Sequence, residues 1–350
     1  MKRKYLLITI IGLLFFCGSV WGDEVTPFGS DRFITGTLVA NSSASKGESV
    51  LLHASSSLLG KLVVTAETTD SAWLEAKAIV KTESRSMASE YTELVDMSIR
   101  RTRRGLEILF RTPNPAPWSG SDESVMIEGE LHLPYDCQIK IDAEYFDLII
   151  DGPFVSVEND KSYGRMDIRN ITKVVELTGT NRDISLKNVS GDINVNLSHA
   201  DLWIDEMRSE YRAARIKNDY GNVNIDGFEG EIIVIDSYGK IKMADIRLSE
   251  GKSSIEAVQC PINLSVESLD KTELFLSSTY EDIVMDVPNS AAVDFQLKTE
   301  RAGEIHVQDI PIKPIKVESN YVELSSGKGG SIIKVGIEGG GNIIVNGFSE

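Results

Sequence analysis

The stretch NDYGNVNIDGFEGEIIVIDSYGKIKMADI, residues 218–246, decides the fold. It holds Asp219-Tyr220-Gly221 and, eighteen residues later, Ser237-Tyr238-Gly239. After each glycine, apolar and polar residues alternate, with Val223 and Ile225 in one copy and Ile241 and Met243 in the other. Period-two alternation marks a strand with one buried face. A near-repeat at so short an interval marks a solenoid.

The same unit extends in both directions. Starts fall at 144, 162, 181, 200, 219 and 237, in steps of 18, 19, 19, 19 and 18. Looser units follow as TYEDIVMDV from Thr279, RAGEIHVQDI from Arg301 and GGGNIIVNGF from Gly339. The expected fold is all-β: a single-stranded parallel β-helix with coils of about 18–19 residues. Ile184 and Leu186, Leu202 and Ile204, and the two pairs above should point inward. Equivalent strands should lie about 4.8 Å apart. One coil has no partner for its apolar side, so the chain must repeat until a stack forms. Gly164, Gly221 and Gly239 are expected at corners that need positive φ. The irregular RSEYRAARIK segment, residues 208–217, and residues 249–279 interrupt the pattern.

Upstream lie FITGTLVA, SVLLHA, KLVVTAET, AWLEAKAIVKTES and MSIRRTRRGLEILFRTP, which read as strands and hairpins. A short helical turn is expected over Arg85 to Val95, and PNPAPWSGSDES reads as a loop. The expected division is a leader over 1–22, a β-rich N-terminal domain over 23–123 that caps the first coil, and the β-helix domain over 124–350. The leader, MKRKYLLITIIGLLFFCGSVWG, has Lys2, Arg3 and Lys4 before a short apolar run, with Val20 and Gly22 suited to cleavage. That is the pattern of a secretory signal peptide cleaved after Gly22, so the protein is expected in the periplasm, on the cell surface or outside the cell. The mature chain is expected to have no transmembrane segment.

Cleavage removes three of 36 basic residues, leaving 33 against 53 acidic ones, a net charge of −20. That balance disfavours nucleic acid as a partner. Cys137 and Cys260 remain; some six coils separate them, about 30 Å at 4.8 Å per coil, so both are expected as buried free thiols.

The strand LHLPYDCQIKIDAEYFDLIIDG, the coils that follow and the final GKGGSIIKVGIEGGGNIIVNGF resemble the bacterial putative-adhesin β-helix family, an exported domain of unknown function. The resemblance runs from about Ser49 to Phe348. It implies a single-stranded β-helix at the cell envelope and brings no catalytic residues with it.

Candidate chemistry is sparse. His53, His132, His199 and His306 lack ligand partners at metal-site spacing, and no Ser-His-Asp grouping is visible, so neither metal nor cofactor is expected. The many aspartates read as a solvated face and polar corners. Tyr145, Tyr163, Tyr220, Tyr238 and Tyr280 share the second place of their units. They read as a corner ladder, or as an aromatic strip along which a glycan lies. Arg100, Arg101, Arg103 and Arg104 form a hairpin tip or an anion contact. The coil ending at Glu350 has no visible cap, so weak self-association through it is an option, against which Asn346, Gly347, Ser349 and Glu350 are poor strand extenders.

The functional expectation is a non-enzymatic, exported protein presenting a surface to protein or glycan at the envelope, as an adhesin or scaffold. The alternatives are a polysaccharide-acting β-helix enzyme and a periplasmic signalling or stress partner. A deep groove lined by carboxylates and a basic residue would favour the enzyme.

Overall fold

A computed structural model describes residues 25–300 and 303–349. The expected leader, and Arg301 at the start of one expected unit, lie outside the described residues.

The strand Ile184–Ser198 shows how one coil is made. Ile184 and Leu186 point inward from its first segment, Val189 from a short side, and Ile193, Val195 and Leu197 from its second segment. Asn188 (φ 50°) and Gly191 (φ 108°) turn the corners, and His199 (φ 55°) starts the turn into the next coil. Each fully buried Leu, Ile or Val contributes about 1.5–3 kcal/mol relative to exposure, but only against a neighbouring coil. The parallel pairings supply that neighbour: Ile184 lies against Met166 below and Leu202 above. The resulting column of Leu148, Met166, Ile184, Leu202, Val223, Ile241, Ile262 and Ile283 is buried throughout.

The coils have two lengths rather than the expected 18–19 residues. Met166 to Ile184 and Ile184 to Leu202 are steps of 18, whereas Leu202 to Val223 is 21. Val223 to Ile241 is again 18, and the next two steps, to Ile262 and Ile283, are 21. The first three-residue insertion falls between the strands Leu202–Ser209 and Ala214–Asp219, inside the irregular RSEYRAARIK segment.

The glycine expectation needs correction. Gly164, Gly221 and Gly239 are not the positive-φ residues; Tyr220 (φ 62°) and Tyr238 (φ 61°) are. The glycines are required by close approach. A Cβ on Gly164 would lie 1.9 Å from the Phe146 carbonyl oxygen, and one on Gly221 2.0 Å from that of Ala200.

Both ends of the stack depart from chain order. Near the N-terminus, Ser49–Ala54 and Leu58–Glu67 form a coil paired in parallel with Gln138–Asp142 and Phe146–Asn159. Gly105–Arg111 and Ser124–Pro134 pair in parallel on the other side of that coil, so a later segment lies outermost. The sheet therefore runs without a break across the expected 123/124 boundary. Antiparallel strands Ser71–Lys81 and Asp96–Thr102 cover the outermost edges.

The other end mirrors this. The last coil, Ser331–Glu338 with Ile343–Phe348, is inserted between Thr272–Thr279 with Ile283–Pro288 and Val293–Thr299 with Ile305–Gln308. Both of its edges are hydrogen-bonded within the chain, which corrects the expected open last coil and removes the basis for self-association through it. The outermost strand Val293–Thr299 is covered in turn by the antiparallel strand Tyr321–Ser326. The order fails because strand pairing follows edge complementarity in space, while the repeat records only sequence spacing.

The helix Arg85–Glu93 occupies the expected helical turn, with the Ser84 hydroxyl accepting from the Met87 N–H at its start. Beside it, the Tyr91 and Thr82 hydroxyls each donate to Glu123 at 2.5 Å. The bond to Glu123 pushes Tyr91 up to about 12, and the two hydroxyls hold the Glu123 carboxyl below its usual range. Its stabilisation is therefore present above the ordinary glutamate range and lost as pH falls through the lowered value. Glu123→Gln is expected to cost about 1 kcal/mol at pH 7, less than a buried charged bond because the carboxylate is part-exposed. Urea unfolding from pH 7 downward checks this: the two proteins should differ at pH 7 and approach each other as the carboxyl takes up its proton.

Candidate functional site

The tyrosine row occupies one corner of the solenoid, and the registers fix its membership. Steps of 18 or 21 place Tyr145, Tyr163, Asn181, His199, Tyr220, Tyr238, Gln259 and Tyr280 in one column. From Asn181 onward every member has positive φ, between 53° and 71°. Such a backbone costs an ordinary side chain about 1–2 kcal/mol. The corner repays it with hydrogen bonds. The N–H groups of His199, Tyr220, Tyr238 and Gln259 donate to the carbonyls of Asp219, Ser237, Val258 and Thr279, each in the next coil, at 2.7–3.1 Å.

The rings then stack along the axis. His199 and Tyr220 have centroids 4.7 Å apart, and Tyr220 and Tyr238 4.9 Å apart with planes at 7°. Tyr145 and Tyr163 form a separate stack at 5.2 Å, with the Lys161 ammonium 4.8 Å from the Tyr163 ring centre. Asn181 separates the two stacks, and Gln259 separates Tyr238 from Tyr280. Tyr220, Tyr238 and Tyr280 are each more than half exposed. The five predicted tyrosines thus share a corner, but in a broken ladder of planar side chains. Sequence reading missed His199 as its middle member, because it replaces Tyr-Gly with His-Ala; its place two residues before Asp201, like that of Tyr220 before Asn222, was the available signal.

Beneath this corner the core turns polar. Leu197, Asn218, Asp236, Ala257 and Ser278 form one inward column. Asn218 and Asp236 are fully buried. The Asn218 amide donates to the Ala200 carbonyl at 3.1 Å, but its Oδ1 has no hydrogen-bond partner, and the Asp236 carboxyl has only the nearby Ser237 N–H and Cys260 thiol to offset its burial. Burial pushes Asp236 up to about 7. Cys260, beside it, accepts from the Gly239 N–H at 2.9 Å, and burial pushes its thiol up to about 11. Cys137 is likewise raised to about 11 by burial. Both cysteines are buried and unpaired, and thiols held protonated in this way are poor nucleophiles.

The arginine cluster is divided. Arg101 is bound to Glu48 at 2.8 Å and to the Ser43 carbonyl, and Arg100 to Asp96 at 3.1 Å. Arg103 and Arg104 are exposed at the hairpin tip between Asp96–Thr102 and Gly105–Arg111. Among the described residues no group of three or more His, Cys, Asp or Glu could hold a metal ion. No helix among them is long and apolar enough to cross a membrane.

One groove was not foreseen. The short side bends at Asn188, Glu206, Gly227 and Asp245, all with positive φ, and leaves a depression of about 730 Å³. Asp205, Glu206, Asp226, Glu229, Asp245 and Glu267 line it with Arg208 and Arg247. Arg247 pairs with Glu267 at 2.8 Å and Arg208 with Glu229 at 3.6 Å. All six carboxylates are exposed.

These features define a parallel β-solenoid with a decorated corner. Residues 131–308 match the Toastrack DUF4097 family, and the chain belongs to that family. Solved structures similar to it include a putative cell adhesion protein from Clostridium sporogenes ATCC 15579, at 12% identity over 89% of this chain and 100% of that one, with a TM-score of 0.20. Others are putative adhesins from Parabacteroides merdae ATCC 43184 (7% identity, 89% and 96% covered, TM-score 0.33) and Parabacteroides distasonis ATCC 8503 (10% identity, 89% and 97% covered, TM-score 0.29). No curated protein matches the chain.

Proposed function

We propose that this protein is an exported, non-enzymatic interaction protein of the cell envelope, adhesin-like or scaffolding, whose solenoid is the binding surface. The observation that carries this reading is the corner ladder. Stacked, half-exposed rings on a hydrogen-bonded corner form a rigid aromatic strip, and rigid aromatic groups gain contact area at low entropic cost. The leader sequence MKRKYLLITIIGLLFFCGSVWG supports export. The family carries no assigned activity that would favour an enzyme.

Protease shaving of intact cells, followed by detection of the C-terminal coils, tests the location. Cleavage on intact cells supports surface presentation. Protection until the outer barrier is opened sinks the adhesin reading and leaves a periplasmic scaffold or signalling partner. Tyr220→Ala with Tyr238→Ala tests the strip. Each stack contributes about 0.5–1.5 kcal/mol, so the double variant should stay folded in thermal melts while losing at least about tenfold in cell or glycan attachment. Unchanged attachment would exclude the ladder as the contact.

The acidic groove favours a second reading, a polysaccharide-acting enzyme. Reducing-sugar release from polysaccharides, abolished by Asp226→Asn with Asp245→Asn, would establish it.

A further inference from the structure

We infer that the outer sheet around Trp203 is a glycan-binding site that stacks a pyranose ring on the indole and continues into the neighbouring acidic groove. This rests on the interaction reading and names its ligand class. The geometry follows from alternation: Leu202 and Ile204 point into the core, so Trp203 stands outward, 41% exposed. Its cross-strand neighbours are Ser185 on one side and Asn224, then Lys242, on the other. An exposed indole between short polar side chains keeps its broad surface open to a ligand, and its electron-rich face suits the C–H face of a sugar ring.

The site is concave and furnished. Trp203, Asn224, Asp226, Lys242 and Ala244 line a depression of about 360 Å³, within the range of small-ligand sites. Ala244 follows Asp226 in its column, so a small residue makes the floor where a longer one would fill it. Among the described residues the side chains of Asn224, Asp226 and Lys242 have no hydrogen-bond or ion-pair partner, which leaves amide, carboxylate and ammonium for sugar hydroxyls. Asp205 is held by Lys187. Asp205 and Asp226 also border the groove of about 730 Å³, so the two depressions meet at a shared edge. A chain of several sugars would pass from the indole over that edge. Six carboxylates against two arginines in the groove exclude a uronic-acid polymer and suit neutral or amino sugars.

The test uses the secreted chain, residues 23–350, labelled with ¹⁵N, and follows the Trp203 indole N–H. The probes are cellotriose, N-acetylglucosamine trimer, glucosamine trimer, their monosaccharides and trigalacturonate. The expected result is a saturable shift with at least one neutral or amino trisaccharide, at least about fivefold tighter than its monosaccharide, and no shift with trigalacturonate. Trp203→Ala should weaken that binding at least tenfold, measured by calorimetry. Asn224→Leu, which removes the amide beside the indole and leaves Trp203 itself in place, should do the same. No saturable shift up to about 20 mM for any neutral or amino sugar, or equal binding by both platform variants, overturns the inference. Protease shaving decides the interaction reading separately, because coils exposed on cells with no sugar response sink this site alone.

Discussion

Asp236→Asn is expected to stabilise the protein by about 2–4 kcal/mol at pH 8.5 and by less than about half of that at pH 5. The cause is the buried column beneath the corner, where the Asp236 side chain is fully enclosed and the nearby Ser237 N–H and Cys260 thiol offset only part of the cost of burial. Burial raises it from 3.8 to about 7. The sign follows from proton counting. Between those two values the folded chain holds a proton that the unfolded chain has released, so stability falls as pH rises across the window and levels off above it. Three pH units correspond to about 4 kcal/mol at 1.36 kcal/mol each, and relaxation around the charge lowers the effect. Asparagine keeps the shape, cannot ionise, and carries an amide N–H that suits the unpartnered Asn218 oxygen. Guanidinium unfolding at half-unit steps from pH 5 to 8.5 checks this, and the difference between the two proteins isolates the one group. A constant difference across that range would mean that Asp236 is ionised throughout or reached by water.

Gly239→Ala is expected to cost at least about 4 kcal/mol, enough to abolish folding in a marginally stable chain. Its Cβ would stand 1.8 Å from the Gly221 carbonyl oxygen and 2.8 Å from Asp236 Oδ2. Overpacking a core commonly costs 1–3 kcal/mol. Here the obstacle is the backbone of the adjacent coil, which cannot turn aside, and the coil spacing would have to open at a corner. Gly336→Ala is the control: nothing lies within 4 Å of its would-be Cβ, and it sits in the strand Ser331–Glu338. That variant should be neutral or gain up to about 1 kcal/mol. Soluble yield and thermal melts separate the two outcomes, and an unharmed Gly239→Ala would show that the corner is looser than its packing implies.

The solenoid was legible in the sequence because alternation and spacing are local. Ile232, Val234 and Asp236 even keep phase, so a buried aspartate was readable from IIVIDS, residues 232–237, once the register was followed. Trp203 was readable in the same way as the outward residue between Leu202 and Ile204. The corners misled because glycine and positive φ are so often linked; here tyrosine takes the strained backbone and glycine takes the tight contact. The N-terminal coils escaped detection because residues 71–102 separate Leu58–Glu67 from Gly105–Arg111, and no fixed period spans that interval. The groove was hidden for a related reason: it arises from a bend at Asn188, Glu206, Gly227 and Asp245, four residue types with no shared signature.

The inserted last coil has a mechanical consequence. Tension applied at the C-terminus would load Ile343–Phe348 along two edges at once, against Ile283–Pro288 on one side and Ile305–Gln308 on the other. All three strands run parallel, so the pull acts in shear and the hydrogen bonds of both ladders must yield together. An ordinary repeat array sheds its terminal unit first, because that unit has one neighbour. In this chain the unit nearest the C-terminus has two, and the outermost coil, Val293–Thr299 with Ile305–Gln308, is tethered at both of its ends by continuing chain.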